Sequence, residues 1–204
     1  NTKMKKALKI FFIFLAAVAA IYVVLVIIRM FHFYNLDKTN EQVAKIHNTK
    51  LTMDDVTGKN LPQDPGAEAD KTIAGIDANK NGIRDDVELA IFKKYPDSAK
   101  TRAVLLQYAL ALQMEAIQPV VNKETVTEVV REQSRAYSCV GKILSRIDMD
   151  KYIKESDNLR LFVDERQRNT EQRKKARKDF VEKIGSYSES ENEVCDIDNK
   201  ILLD

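Results

Sequence analysis

A segment of twelve residues, 77–88, carries oxygen-bearing side chains at a spacing that suits a bound Ca²⁺ ion. Asp77, Asn79 and Asn81 place carboxylate or amide oxygens at alternate positions near its start, and Glu88 ends it. Ca²⁺ takes about six to eight oxygen ligands from a chain that wraps around it. The whole segment fits the pattern D-x-[DN]-x-[DN]-G-x5-E. We therefore predict a calcium loop at these residues.

The other positions of the loop have distinct expected roles. Gly82 permits the sharp turn, and Ile83 offers its backbone carbonyl oxygen. Asp85 binds directly or through water, and Glu88, one turn into the next helix, binds with both oxygens. With Asp77 these acids make three charged ligands, which is typical of weak extracellular sites with dissociation constants of about 10⁻⁴–10⁻³ M. The alternative interpretation is a polar Asn-Gly turn before a capped helix.

The segment resembles the EF-hand loop. More closely it resembles the single calcium loops of secreted bacterial proteins and of dockerin and thrombospondin type 3 repeats, with their core D-x-[DN]-x-[DN]-G-I-x-D. The resemblance covers these twelve residues only. It implies a Ca²⁺ cofactor held by Asp77, Asn79, Asn81, Ile83, Asp85 and Glu88. Three features depart from paired EF-hands: Arg84 holds a position that is usually apolar, the upstream segment with Gly75 is a poor entering helix, and no second loop follows.

An uncharged apolar run occupies residues 10–28. Its 19 residues approach the length of about 20 that a helix needs to cross a bilayer core. Aromatic side chains and a histidine follow at residues 31–34, as in an interfacial anchor. We predict a single transmembrane helix with its interfacial aromatic residues at residues 10–34, in contact with inner-membrane lipid. The alternative is a signal peptide cleaved near residues 17–19, which would leave an exposed apolar N-terminus.

The charges of the chain are distributed unevenly. The 33 basic and 31 acidic residues give a net charge of +2, but residues 1–34 hold five basic residues and no acid. Residues 35–204 hold 28 basic and 31 acidic residues, a net charge of −3. Because four of the five cations lie at residues 1–9, the positive-inside rule predicts a cytoplasmic N-terminus and a periplasmic C-terminal domain. The acidic outer part argues against nucleic acid as a partner.

Beyond the anchor, the sequence predicts an extended linker and then a compact all-α domain. Residues 35–76 are polar and contain Pro62 and Pro65, which favour a linker or stalk, with a short stalk helix as an option at residues 38–47. Residues 77–204 show helical periodicity and no alternating strand pattern. We predict that they form a bundle of four to five helices that carries the calcium loop.

Four helix signals can be placed in this domain. The first covers residues 85–94, and the second runs from a cap at Asp97 or Ser98 to a point before Pro119. The third begins at Asn122. The fourth runs from Asp148 or Asp150 to Ile184, with a break at residues 156–158. The second is apolar nearly all round, so it is predicted to be the central buried helix. The third carries a core stripe of Val126, Val130, Tyr137, Val140, Leu144 and Ile147. Residues 164–179 lack a large apolar side chain, which predicts a solvated helix end.

The two cysteines, Cys139 and Cys195, lie in the part predicted to be periplasmic. This compartment is oxidising, so a disulfide is expected. The alternatives are two buried thiols or a metal pair, although His32 and His47, the two histidines, lie near neither cysteine in the sequence. A disulfide would bring an acidic tail close enough to pair with the basic helix at residues 164–179. The acids of this tail are Glu189, Glu191, Glu193, Asp196 and Asp198.

No enzyme class is indicated by the motifs of the chain. HExxH, GxSxG, P-loop and Rossmann patterns are absent, and acid pairs such as Asp54 and Asp55 specify no cleft. We predict a non-enzymatic, membrane-anchored, calcium-binding protein of the periplasm that acts as a binding or scaffold subunit of a bacterial envelope complex. The alternatives are a periplasmic immunity protein that inhibits a secreted toxin and, third, a calcium-dependent hydrolase.

Overall fold

The computed structural model describes residues 2–186, 188, 193–198 and 200–202. The chain divides into two compact units, Asn1–Glu41 and Gln42–Asp204. Throughout the described residues the regular elements are helices and none is a strand, which confirms the all-α prediction.

Helix α1 covers Thr2–Asn48. Its residues up to Glu41 belong to the first unit, and its last seven residues belong to the second. Among the described residues this is the one helix that is long and apolar enough to cross a membrane. The large apolar side chains of residues 10–28 are exposed along its length. A helix that is apolar all round and exposed on every side suits a lipid environment. The apolar residues of the predicted membrane span therefore lie within one continuous helix.

Six further α-helices form the second unit within the described residues. They are α2 (Met53–Thr57), α3 (Asp85–Lys94), α4 (Ala99–Ile117), α5 (Lys123–Val140), α6 (Met149–Gln167) and α7 (Glu171–Val181), with 3₁₀ turns at Gly66–Asp70 and Gly141–Ile143. Side-chain oxygens of Ser98, Asn122 and Asp148 accept backbone N–H groups at the starts of α4, α5 and α6. These caps are those that the sequence indicates, because short polar side chains satisfy the free N–H groups of a first turn.

Helix α4 lies at the centre of the second unit. Residues 103–114 are all buried, and the helix packs against α2, α3, α5, α6 and α7. This confirms the prediction of a central helix that is apolar nearly all round. Each leucine or valine fully buried there stabilises the fold by about 1.5–3 kcal/mol.

The predicted linker is not extended over most of its length. Residues 42–76 belong to the second unit, where Ile46, Leu51 and Val56 are buried and α2 packs against α4. The large apolar residues of this segment are few and widely spaced, so they predict no regular helix or strand over its length. Ile46, Leu51 and Val56 nevertheless fill positions in the core, which sequence periodicity does not reveal.

The predicted core stripe of α5 is correct at Val126, Val130 and Val140, but not at Tyr137 or beyond the end of the helix. Val126 and Val130 are buried, but Tyr137 is half exposed and Ile147 is 98% exposed. The helix ends at Val140, and the 3₁₀ turn that follows has a different number of residues per turn. Residues beyond that turn therefore leave the buried face that the period of three to four residues projects.

The break predicted at residues 156–158 lies instead between α6 and α7. Ser156 is buried inside α6, where its hydroxyl accepts a hydrogen bond of 2.6 Å from Arg160. The chain turns at Arg168, and the hydroxyl of Thr170 accepts the backbone N–H of Arg173 to start α7. Because Arg160 binds Ser156 within the helix, that polar segment continues α6 rather than ending it.

The predicted solvated end at residues 164–179 is exposed on one face, as expected, but packed on the other. Arg173 is only 4% exposed and pairs with Asp70 at 2.6 Å. Its guanidinium also donates to the carbonyl oxygens of Ala69, Thr72 and Ile73. On another side, Arg177 pairs with Glu115 of α4 at 2.7 Å. Arginine side chains, which give no apolar signal, therefore fix this part of the bundle.

Cys139 and Cys195 form the predicted disulfide, with their sulfur atoms 2.09 Å apart. It joins α5 to the tail, residues 193–198. In the tail, Asp196 pairs with Arg135 of α5 at 2.5 Å and accepts the backbone N–H of Leu51. The expected pairing of the acidic tail with residues 164–179 is therefore wrong for Asp196, because the disulfide places it beside α5. Glu189 and Glu191 lie outside the described residues.

Candidate calcium site

The loop at residues 77–88 packs against α4 through its middle. Gly82 has a φ of +83°, and a Cβ atom there would lie 2.7 Å from Cδ1 of Leu110. Only glycine combines that backbone conformation with so close an approach. The next residue, Ile83, is fully buried and anchors the loop in the core. The turn that the sequence assigns to Gly82 is therefore present, with a packing reason as well as a conformational one.

Two carboxylates close the backbone of the loop into a ring. Asp77 accepts the backbone N–H groups of Asn81 at 3.2 Å and Gly82 at 2.9 Å. Asp85, at the start of α3, accepts the N–H of Ala78 at 3.0 Å. These bonds hold the first and last parts of the loop close together.

Glu88, the last residue of the loop, is 1% exposed. Its two carboxylate oxygens accept hydrogen bonds from the side-chain amides of Asn79 and Asn81, both at 3.1 Å. Burial raises the pKa of Glu88 to about 7, and burial also raises the pKa of Asp85. The structure thus brings together the side chains of the third, fifth and twelfth positions of the predicted loop.

Three acids of the loop, Asp77, Asp85 and Glu88, have no positive partner among the described residues, whereas Asp86 pairs with Arg84. Among the described residues, no lysine or arginine lies within ion-pair distance of Asp77, Asp85 or Glu88. Buried carboxylates elsewhere in the bundle are paired, as Glu132 is with Arg135 at 2.7 Å. A buried charge is strongly unfavourable unless it is paired or coordinates a metal ion. The loop is therefore the place in the described fold where buried acid is left uncompensated.

The donor set fits Ca²⁺ in its chemistry but is not arranged around an ion. Within the described residues no group of three or more His, Cys, Asp or Glu side chains is placed to hold a metal. Asn79 and Asn81 turn their NH₂ groups toward Glu88, and a rotation of each amide would present its oxygen instead. A set made only of oxygen atoms suits Ca²⁺ and not Zn²⁺.

Arg84, which departs from the EF-hand pattern, is fully buried and ties the loop to α6. Its guanidinium donates two bonds to Asp86, at 2.7 and 2.6 Å. It also donates to the carbonyl oxygens of Arg166 at 3.0 Å and Gln167 at 3.3 Å, where α6 ends. Where paired EF-hands usually carry an apolar side chain, Arg84 satisfies free carbonyl groups at a helix end.

Two groups outside the loop also face it, and sequence reasoning did not connect them with it. Asp55 of α2 accepts a hydrogen bond of 3.3 Å from the amide of Asn81. The carbonyl oxygen of Asn60 accepts one of 3.1 Å from the amide of Asn79. In the structure Thr52 caps α2, which the sequence did not predict, and no local pattern reveals that Asp55 meets a residue more than 20 positions away.

The chain was also compared with known proteins. No protein-family model, no curated protein and no solved structure matches it.

Proposed function

We propose that residues 77–88 bind Ca²⁺ and that this ion stabilises a membrane-anchored helical domain. The observation that carries the proposal is the burial of Asp85 and Glu88, each 1% exposed, without a cation among the described residues. A bound Ca²⁺ supplies two positive charges beside Asp85 and Glu88, for which the described part of the chain supplies no cationic partner. The residues that would hold it are Asp77, Asn79, Asn81, Ile83, Asp85 and Glu88.

The surroundings of the loop favour a structural role for the ion. Ile83 is buried in the core, and Arg84 joins the loop to the end of α6. Closing the loop around an ion would therefore stabilise the contact of α3 with both α4 and α6. A signalling site instead needs a helix pair that opens when calcium binds.

Calcium is expected to raise the thermal stability of the full chain in mild detergent. At a free concentration tenfold above the dissociation constant, the free energy of unfolding rises by about 1.4 kcal/mol. For a domain of this size, that corresponds to an increase in melting temperature of about 3–6 °C. The measurement is thermal unfolding by circular dichroism in calcium and in EGTA.

Two alanine variants complete this test. Asp77→Ala removes a ligand and should abolish the calcium-dependent shift, whereas Asp97→Ala removes an exposed acid elsewhere and should retain it. An unchanged melting temperature of the wild-type protein in calcium and in EGTA would refute calcium binding.

We further propose that the anchor lies in a bacterial inner membrane with its N-terminus in the cytoplasm. The support is the apolar helix together with the cations at residues 1–9. Alkaline phosphatase fused after residue 204 is expected to be active in a bacterial host, and the same enzyme fused after residue 8 to be inactive. The opposite pattern of activities would place the second unit in the cytoplasm.

The domain is proposed to act as a binding or scaffold subunit for a protein of the envelope. The support is its place on a membrane anchor together with a fold held rigid by a disulfide and by buried ion pairs. The test is purification of the full chain from membranes in mild detergent with calcium, followed by measurement of stoichiometry. A stoichiometric envelope complex supports a scaffold, while a complex with a single toxic effector supports the immunity alternative. Recovery of the chain alone counts against both.

A further inference from the structure

The two carboxylate oxygens of Asp55 have different surroundings. One oxygen, Oδ2, accepts the backbone N–H of Thr52 at 2.8 Å and its hydroxyl at 2.5 Å, which caps α2. The other oxygen, Oδ1, points away from the cap and lies 3.3 Å from Nδ2 of Asn81 in the calcium loop. The carboxylate of Asp55 thus accepts hydrogen bonds from the cap of α2 with one oxygen and from the loop with the other.

A single neutral amide lies between two carboxylates at this point. Nδ2 of Asn81 is 3.3 Å from Oδ1 of Asp55 and 3.1 Å from Oε1 of Glu88. No lysine or arginine among the described residues pairs with either acid. The nearby Lys59 pairs with Asp54 instead, at 2.9 Å. Two acids from different elements therefore converge on one amide group, and within the described residues neither has a cationic partner.

We propose that Asp55 is a further calcium-binding residue, which α2 supplies from outside the loop. The inference rests on the proposed binding of Ca²⁺ by residues 77–88. Asp55 then adds a fourth carboxylate to Asp77, Asp85 and Glu88. The segment that contains α2 contacts the loop at a second point, where the carbonyl oxygen of Asn60 accepts a hydrogen bond from the amide of Asn79.

The added carboxylate has a consequence for affinity. The affinity of a calcium loop depends on the number of charged ligands and on the rigidity of the site. Asp55 contributes one more charge, and its second oxygen is already fixed by the cap of α2. We therefore expect the chain to bind Ca²⁺ about tenfold more tightly than a loop that has only its own three acids.

The test compares two neighbouring variants of the full chain in mild detergent by calorimetric titration with CaCl₂. Asp55→Asn removes the charge but retains an oxygen that can cap α2. Asp54→Asn is the matched control, because it removes the same charge from the same helix, where Asp54 is half exposed and faces Lys59. Asp55→Asn is expected to raise the dissociation constant about tenfold, and Asp54→Asn by less than about twofold.

The outcomes separate this inference from the proposed function. Equal dissociation constants for the two variants, with calcium bound by the wild type, would overturn the role of Asp55 and retain the calcium site. Absence of binding by the wild type would overturn both. Unfolding in EGTA is the structural control: Asp55→Asn should melt no lower than Asp54→Asn. A lower melting temperature would mean that Asp55 acts through the cap of α2, against the inference.

Discussion

Replacing Cys139 and Cys195 together by alanine is expected to lower the free energy of unfolding by about 4 kcal/mol. The disulfide closes a loop of 56 residues, and removing it lets the unfolded chain sample many more conformations. In the folded state the bond also holds the tail in place, where Asp196 pairs with Arg135. Thermal unfolding of the full chain in mild detergent, followed by circular dichroism, measures the loss. The expected decrease in melting temperature is about 8–16 °C.

Reduction provides the control for this prediction. A reducing agent should lower the stability of the wild-type protein by a similar amount and leave the double alanine variant unchanged. Asp196→Asn retains the disulfide but removes the ion pair, and so it separates the two contributions of the tail. A double variant that unfolds within about 1 kcal/mol of the wild type, a change typical of ordinary substitutions, would contradict the assigned role of the bond.

Replacing Arg84 by alanine is expected to destabilise the domain by about 3 kcal/mol. The guanidinium is fully buried, and without it the carbonyl oxygens of Arg166 and Gln167 lose a donor and Asp86 loses its partner. Unsatisfied buried polar groups each cost about 1–3 kcal/mol. The expected decrease in melting temperature is about 6–12 °C by circular dichroism.

Two further arginine variants define what Arg84 contributes. Arg146→Ala removes an exposed arginine, and its effect should stay within about 0.5 kcal/mol. Arg84→Lys retains the charge but loses the planar fork that serves Asp86 and the helix end together, so it should recover only part of the stability. If Arg84→Ala melts like Arg146→Ala, the loop is not joined to α6 through this side chain.

The parts of the fold that the sequence predicted are those with local causes. The caps at Ser98, Asn122 and Asp148 depend on a side chain and the backbone three residues later. The central position of α4 follows from a helix that is apolar on every face. The turn at Gly82 follows from its place in a twelve-residue pattern. Each of these features depends on residues that are close together in the sequence.

The parts that the sequence did not predict depend on contacts between distant residues. Arg84 and Arg173 are 0% and 4% exposed, although arginine is ordinarily a surface residue and adds nothing to an apolar period. Both donate to carbonyl oxygens far away in the sequence, about 80 to 100 residues distant. Asp55 likewise meets a residue outside its own segment, since it accepts a hydrogen bond from Asn81. A single sequence shows that such side chains exist but not which partners the fold selects.

The tail described above also bears on when the domain can finish folding. Asp196 accepts the backbone N–H of Leu51, a bond that joins residues 145 positions apart. A chain made from its N-terminus must leave the contacts of Leu51, of Gln107 in α4 and of Arg135 in α5 incomplete until residues 193–198 follow. Such distant pairings slow the folding of a domain. Maturation of this domain is therefore expected to be post-translational, with oxidation of the cysteines as a late event.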